Sequence, residues 1–143
     1  MNTAKTRDVP GFAIAVAGTP VDPAVLTAVA ELVVDRRLRV PDRLSLAIHD
    51  DDQAIMRAAT FVAGAALTIT LASAEQTSRG PVFDGLITTL APEFDEGTAT
   101  LVVIALDRGC LLQQAPDSAS YQDTSYGDIA TKLARAAGLS PGT

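Results

Sequence analysis

Residues 98–106 read Thr-Ala-Thr-Leu-Val-Val-Ile-Ala-Leu, an apolar run bounded by the polar stretch Glu93–Gly97 and by Asp107. The run is strand-sized and rich in β-branched residues, which reads as a β-strand. Successive side chains of a strand point to opposite faces. Here both faces are apolar, so both need cover, one from the core and the other from a neighbouring element or chain. This segment therefore demands a sheet around it.

The rest of the chain supplies one. Phe12–Ala17 is short and apolar and ends in Gly18-Thr19-Pro20, a strand followed by a turn. After the break at Pro41-Asp42, Leu44, Leu46 and Ile48 share one face of an alternating segment, and Leu67–Leu71 alternates likewise. Gly80-Pro81 starts a further element, Val82–Leu90, in which Gly85 signals a bulge or a close backbone approach. Residues 21–40 are ambiguous. Asp22 and Pro23 could cap and open a helix, whereas Leu32-Val33-Val34 could belong to a strand. Gln53–Thr60 reads as a short helical turn capped by an aspartate. Beyond a polar connection at 113–122, Ser125-Tyr126-Gly127-Asp128 approximates a capping box, and Ile129, Leu133 and Ala137 recur at helical spacing. Gly138, Leu139 and Pro141 complete a helix stop signal. The expected architecture is mainly β, with roughly six strands and one amphipathic helix near the C-terminus.

Composition narrows the function classes. Hydrophobic residues make up 48% of the 143 but aromatics only 4%, so alanine and β-branched residues dominate. That excludes disorder as the dominant state. The mean hydropathy of +0.24 is high for a small monomer and raises the question of where surplus apolar surface goes. A net charge of -6 argues against non-specific nucleic-acid binding, which needs a basic surface. A lone Cys110 excludes a disulfide scaffold, and one Cys with one His excludes a Cys/His zinc cluster. Residues 1–10 are polar, without the apolar core of a signal peptide, and no run reaches the ~18 residues of a membrane span. A cytoplasmic origin without a membrane segment is the expectation.

Candidate chemistry is sparse. His49-Asp50-Asp51-Asp52 is the one cluster of acid–base or metal-binding residue types, and it suggests a divalent-cation site or a His/Asp pair. It lacks the alternating ligands, glycine and distal glutamate of a calcium loop, which favours a solvated turn. Asp84 and Asp107 lie near turns with no spacing that pairs them for glycosidase-type chemistry. Cys110 has no nearby base in the sequence and reads as a small buried hydrophobe. No nucleophile elbow, dinucleotide loop or phosphate loop occurs. Arg36, Arg37, Arg39 and Arg43 form a basic cluster, either a solvated strand edge or a contact patch for an acidic partner. Residues 1–72 carry 7 basic and 8 acidic groups and residues 73–143 carry 4 and 9, so the halves differ at -1 and -5. No catalytic, cofactor or metal residue is assigned. The competing readings are a small metal-dependent hydrolase at His49 and Asp50 to Asp52, or a free-standing β-barrel ligand-binding module.

Five phrases occur in a telling order: Val40-Pro41-Asp42-Arg43-Leu44-Ser45-Leu46, Phe61-Val62-Ala63-Gly64, Pro81 to Thr88, Thr100 to Asp107, and Tyr121 to Ala130. This ordered set resembles the N-terminal part of the phage late-control protein D family, which includes contractile-phage tail hubs and the valine-glycine repeat spike of type VI secretion. The resemblance spans residues 11–139. It implies a tail-tube-like β-barrel hub domain over residues 1–110, then a linker and the first helix of a second hub domain over 111–143. It also implies a homotrimer that meets the inner tube protein on one side and other baseplate and spike-tip proteins on the other, in a phage tail-like particle assembled in the cytoplasm. No catalysis belongs to that part of the family. For residues 21–40 it implies a loop through Pro23 and a strand from about Val29 to Arg37.

Overall fold

The computed structural model describes residues 11–72, 81–114 and 118–140, with the side chain of Ala72 left aside. The expectation for residues 1–10 lies outside these, as do Gly80 and Pro141. Seven strands form one antiparallel sheet: β1 (Gly11–Val16), β2 (Thr19–Pro20), β3 (Val29–Asp35), β4 (Arg43–His49), β5 (Ala66–Ala72), β6 (Phe83–Asp95) and β7 (Thr98–Asp107). Short helices α1 (Pro23–Thr27) and α2 (Ala54–Arg57) interrupt them, a 3₁₀ segment follows at Arg108–Gln113, and α3 (Tyr126–Ala136) comes last. The strand order is β2-β1-β5-β6-β7-β4-β3.

The two-faced strand lies inside the sheet, but only one of its faces is fully covered. β7 is flanked by β6 and β4, with Leu101, Val103 and Ala105 opposite Ile48, Leu46 and Leu44. All six are buried, and with Ile14, Leu67, Ile69, Phe83 and Ile87 they line the inner face of the sheet. The opposite face of β7, Val102, Ile104 and Leu106, is only half-buried.

Gly85 marks a close approach. A Cβ there would lie 2.2 Å from the carbonyl oxygen of Leu106, and the Phe83 ring folds over the vacant position. The register shift comes two residues later, between Ile87 and Thr89. β6 then continues to Asp95, so much of the stretch expected as a polar turn is strand, and the turn is Glu96-Gly97 with both φ angles positive, 39° and 90°. Such angles fit a tight two-residue hairpin turn.

The ambiguity over residues 21–40 resolves into both elements. β3 occupies Val29–Asp35, as the family resemblance implied. The implied loop through Pro23 is instead one helical turn. Asp22 accepts a hydrogen bond from the Ala24 N–H at 2.8 Å, and Pro23 fills the first helical position, where no N–H is needed. This turn packs Val25 into the core beside Val21.

The barrel expected from the resemblance is not closed by the described residues. β2 and β3 are the two edges of the sheet and do not pair with each other. The α1 segment lies between them instead. Val21 N–H donates to Ile14 of β1 at 3.0 Å, and Ala28 carbonyl accepts from His49 of β4 at 2.9 Å. The sheet nevertheless curls: the guanidinium of Arg36, just beyond β3, donates to the carbonyl of Val82, just before β6. Three strand spacings of a flat sheet, about 14 Å, would put these groups out of reach.

α3 forms as its sequence dictates. Ser125 Oγ accepts from the Asp128 N–H and donates to the Asp128 carboxylate. Gly138 at φ 74° ends the helix, with Gly138 N–H bonded to Arg135 carbonyl and Leu139 N–H to Ala134 carbonyl. No residue of α3 is buried; Tyr126 is 93% and Leu133 46% exposed.

Candidate functional site

The acidic turn was the one sequence cluster suited to catalysis or metal binding. Its carboxylates are spent on the backbone. Asp50, the single buried charged residue among those described, accepts from the Ile55 and Met56 N–H groups at 2.9 and 3.0 Å with its two oxygens. Those N–H groups open α2, whose own N-cap, Gln53, offers no side-chain bond. Asp50 thus caps a helix from three residues further back. Asp51 accepts from the Ala99 N–H at 2.9 Å and Asp52 from the Ala54 N–H at 3.2 Å. The aspartate-held helical turn is therefore real, and the turn is a structural clamp between β4, α2 and β7. Among the described residues no group of three or more His, Cys, Asp or Glu is arranged to hold a metal ion.

The other candidates are also engaged. Asp84 pairs with Arg108 at 3.0 Å. Asp107 accepts from the Asp42 N–H at 2.7 Å and the Gly109 N–H at 2.6 Å, fixing the start of the 3₁₀ segment. That segment was not legible in the sequence, although an aspartate two residues before a glycine is a turn signal. Cys110 is buried beneath it, and burial and then the nearby Asp107 charge push its thiol pKa up, away from a reactive thiolate.

What remains is surface. The basic cluster spans the β3–β4 loop and the first residue of β4, and it divides in two. Arg36 is 3.5 Å from Asp42, and Arg37 Nε donates to Asp35 at 2.8 Å. Arg39 and Arg43 form no ion pair with a described residue. Leu38 on the same loop is 94% exposed, and Val40 and nearby Leu112 are each half-exposed. Two open grooves of about 220 and 290 Å³ flank the loop, both lined by Val40 and Pro41. Neither is a closed ligand chamber.

No family model and no curated protein matches this sequence. Solved structures do match its fold. The 43 kDa tail protein of prophage MuSo2 from Shewanella oneidensis superposes with a TM-score of 0.63 at 16% identity, covering 91% of this chain and 39% of that one. The tail protein from Neisseria meningitidis MC58 gives 0.61 at 16% identity, covering 88% of this chain and 34% of that one. The chain shares a fold with phage tail proteins and spans little more than a third of their length. No helix among the described residues is long and apolar enough to cross a membrane.

Proposed function

We propose that the chain is the tube-like N-terminal part of a baseplate hub in a contractile injection system, joining the inner tube to the spike. The observation that carries this is the fold shared with two phage tail proteins over about nine-tenths of the chain. The ordered sequence phrases of the late-control D family point the same way. Residues 1–110 are the tube-like domain on this reading, and residues 111–143 lead into the next hub domain. The exposed apolar residues of α3 fit that division, because an amphipathic helix needs a partner surface. Two unpaired sheet edges and a half-covered outer face suit a subunit whose neighbours complete it, here as a trimeric ring. The reading assigns no catalytic residue, metal or cofactor to this part, and it places the chain in a tail-like particle after cytoplasmic assembly.

Native mass spectrometry of the full-length hub tests the proposal. The expected species is a trimer that co-purifies with tube and baseplate proteins. A full-length protein that stays monomeric at assembly concentrations, and binds neither, would overturn it.

A further inference from the structure

The base of the β3–β4 loop, residues 36–42, is tied down on both sides. Arg36 donates to the Val82 carbonyl and lies 3.5 Å from Asp42. Arg37 Nε donates to Asp35, the last residue of β3. Asp42 N–H donates to the Asp107 carboxylate, and Asp107 N–H donates back to the Asp42 carbonyl. The tip, Leu38 to Pro41, is thereby presented on a fixed frame.

That tip is apolar and uncovered. Leu38 at its turn is 94% exposed, and Val40 is half-exposed. Leu112 of the 3₁₀ segment, also half-exposed, lines the groove of about 290 Å³ together with Val40 and Pro41. Single apolar side chains on a surface mean little. Gathered on a loop already held in place, they lower the ordering cost of association. Arg39 lines the same groove, and its guanidinium forms no ion pair with a described residue. The carboxylates around it have partners: Asp35 has Arg37, Asp42 has Arg36, and Asp107 has the Asp42 and Gly109 N–H groups. Arg43 belongs to the other groove, with Leu106. The Leu112 groove therefore combines apolar walls with one unanswered positive charge.

We propose that the Leu112 groove docks an acidic, apolar segment of a different protein. An apolar side chain of that segment lies between Val40 and Leu112, and a neighbouring Asp or Glu meets Arg39. Leu38 buries against the same segment from the loop tip. The carboxylate is required because covering Arg39 without one would strand its charge away from water. A basic segment would meet repulsion at the same place. The choice of a different protein rests on the hub reading, since a ring set between tube and spike binds chains other than its own at its faces.

The test is photo-cross-linking from position 38 of the full-length protein, with a photoreactive phenylalanine analogue in place of Leu38. The protein is produced together with the tube and baseplate proteins encoded beside it, and mass spectrometry identifies the cross-linked peptide. The expected product joins residue 38 to one segment of one of those proteins, with an apolar residue next to an Asp or Glu. Arg39→Glu should weaken binding of that protein about tenfold or more, and reversing its carboxylate to Lys should restore it. Leu38→Ser and Leu112→Ser should weaken binding without a charge change, and circular dichroism checks that each variant folds. Added salt should weaken the wild-type complex. No cross-link, a cross-link to a second copy or to a segment without a carboxylate, or an Arg39→Glu variant that binds like wild type would each overturn the proposal. A trimer that still holds tube and baseplate proteins after Leu38→Ser and Arg39→Glu would leave the hub reading standing and sink this one. A monomer cross-linked to an acidic, apolar segment of some other identified protein would do the reverse.

Discussion

Single residues set the local geometry here, and some of them announce themselves. Gly85 does: a glycine inside a strand pattern points to a crowded backbone, and the Leu106 carbonyl supplies the crowding. Gly85→Ala should cost about 3 kcal/mol, since the obstruction is backbone and the strand must shift. A fall in the urea midpoint with an unchanged far-ultraviolet spectrum would check this. Asp50 did not announce its role, because the N–H groups it holds are five and six residues away and meet it only once the turn has folded. Cys110 yields a pH test. Its pKa is raised in the folded chain by burial and by Asp107. As pH climbs through the ordinary thiol range the unfolded chain loses its proton first, so the unfolded state binds fewer protons and stability falls. The thiol's contribution is full below that range and lost above it. Comparing wild type with Cys110→Ala at about pH 7 and about pH 9.5 should show the extra alkaline loss in wild type alone.

At the scale of elements, periodicity located the long strands well. Leu44, Leu46 and Ile48 lie on the buried face, whereas β7, expected to be covered on both faces, buries one face and leaves the other half-exposed. Short elements were harder. One turn of helix at Pro23–Thr27 has no second turn to establish a period, although Asp22 and Pro23 carried the signal for its start. The 3₁₀ segment depends on Asp107 bonding across to β4, which sequence spacing does not display. α3 was legible from cap to stop because every signal for it is local. Its apolar stripe touches little of the sheet, so Leu133→Asp should leave the stability of these 143 residues within about 0.5 kcal/mol. On the proposed hub reading, the same change should impair the longer protein, in which the next domain would cover the stripe. Thermal unfolding of the short and long proteins separates the two effects.

For the whole molecule, strand faces were readable but strand neighbours were not. Alternation tells which side of a strand is buried and says nothing of which edges remain unpaired, so an open, curled sheet and a closed barrel look alike in sequence. The surplus hydropathy now has an address in the outer face of β7, the edge strands and the stripe of α3. Isolated, the 143 residues should self-associate or be poorly soluble, which light scattering across a dilution series would register. The strand order has a kinetic consequence as well. β6 and β7 are adjacent in the chain and can zip together at once, whereas β4 must find β7 across some fifty intervening residues. At a synthesis rate of roughly 5–20 residues per second, β4 leaves the ribosome several seconds before its partner exists. Its Leu44, Leu46 and Ile48 wait uncovered for that time, which favours slow folding of the nascent chain and engagement by a chaperone before the hairpin arrives.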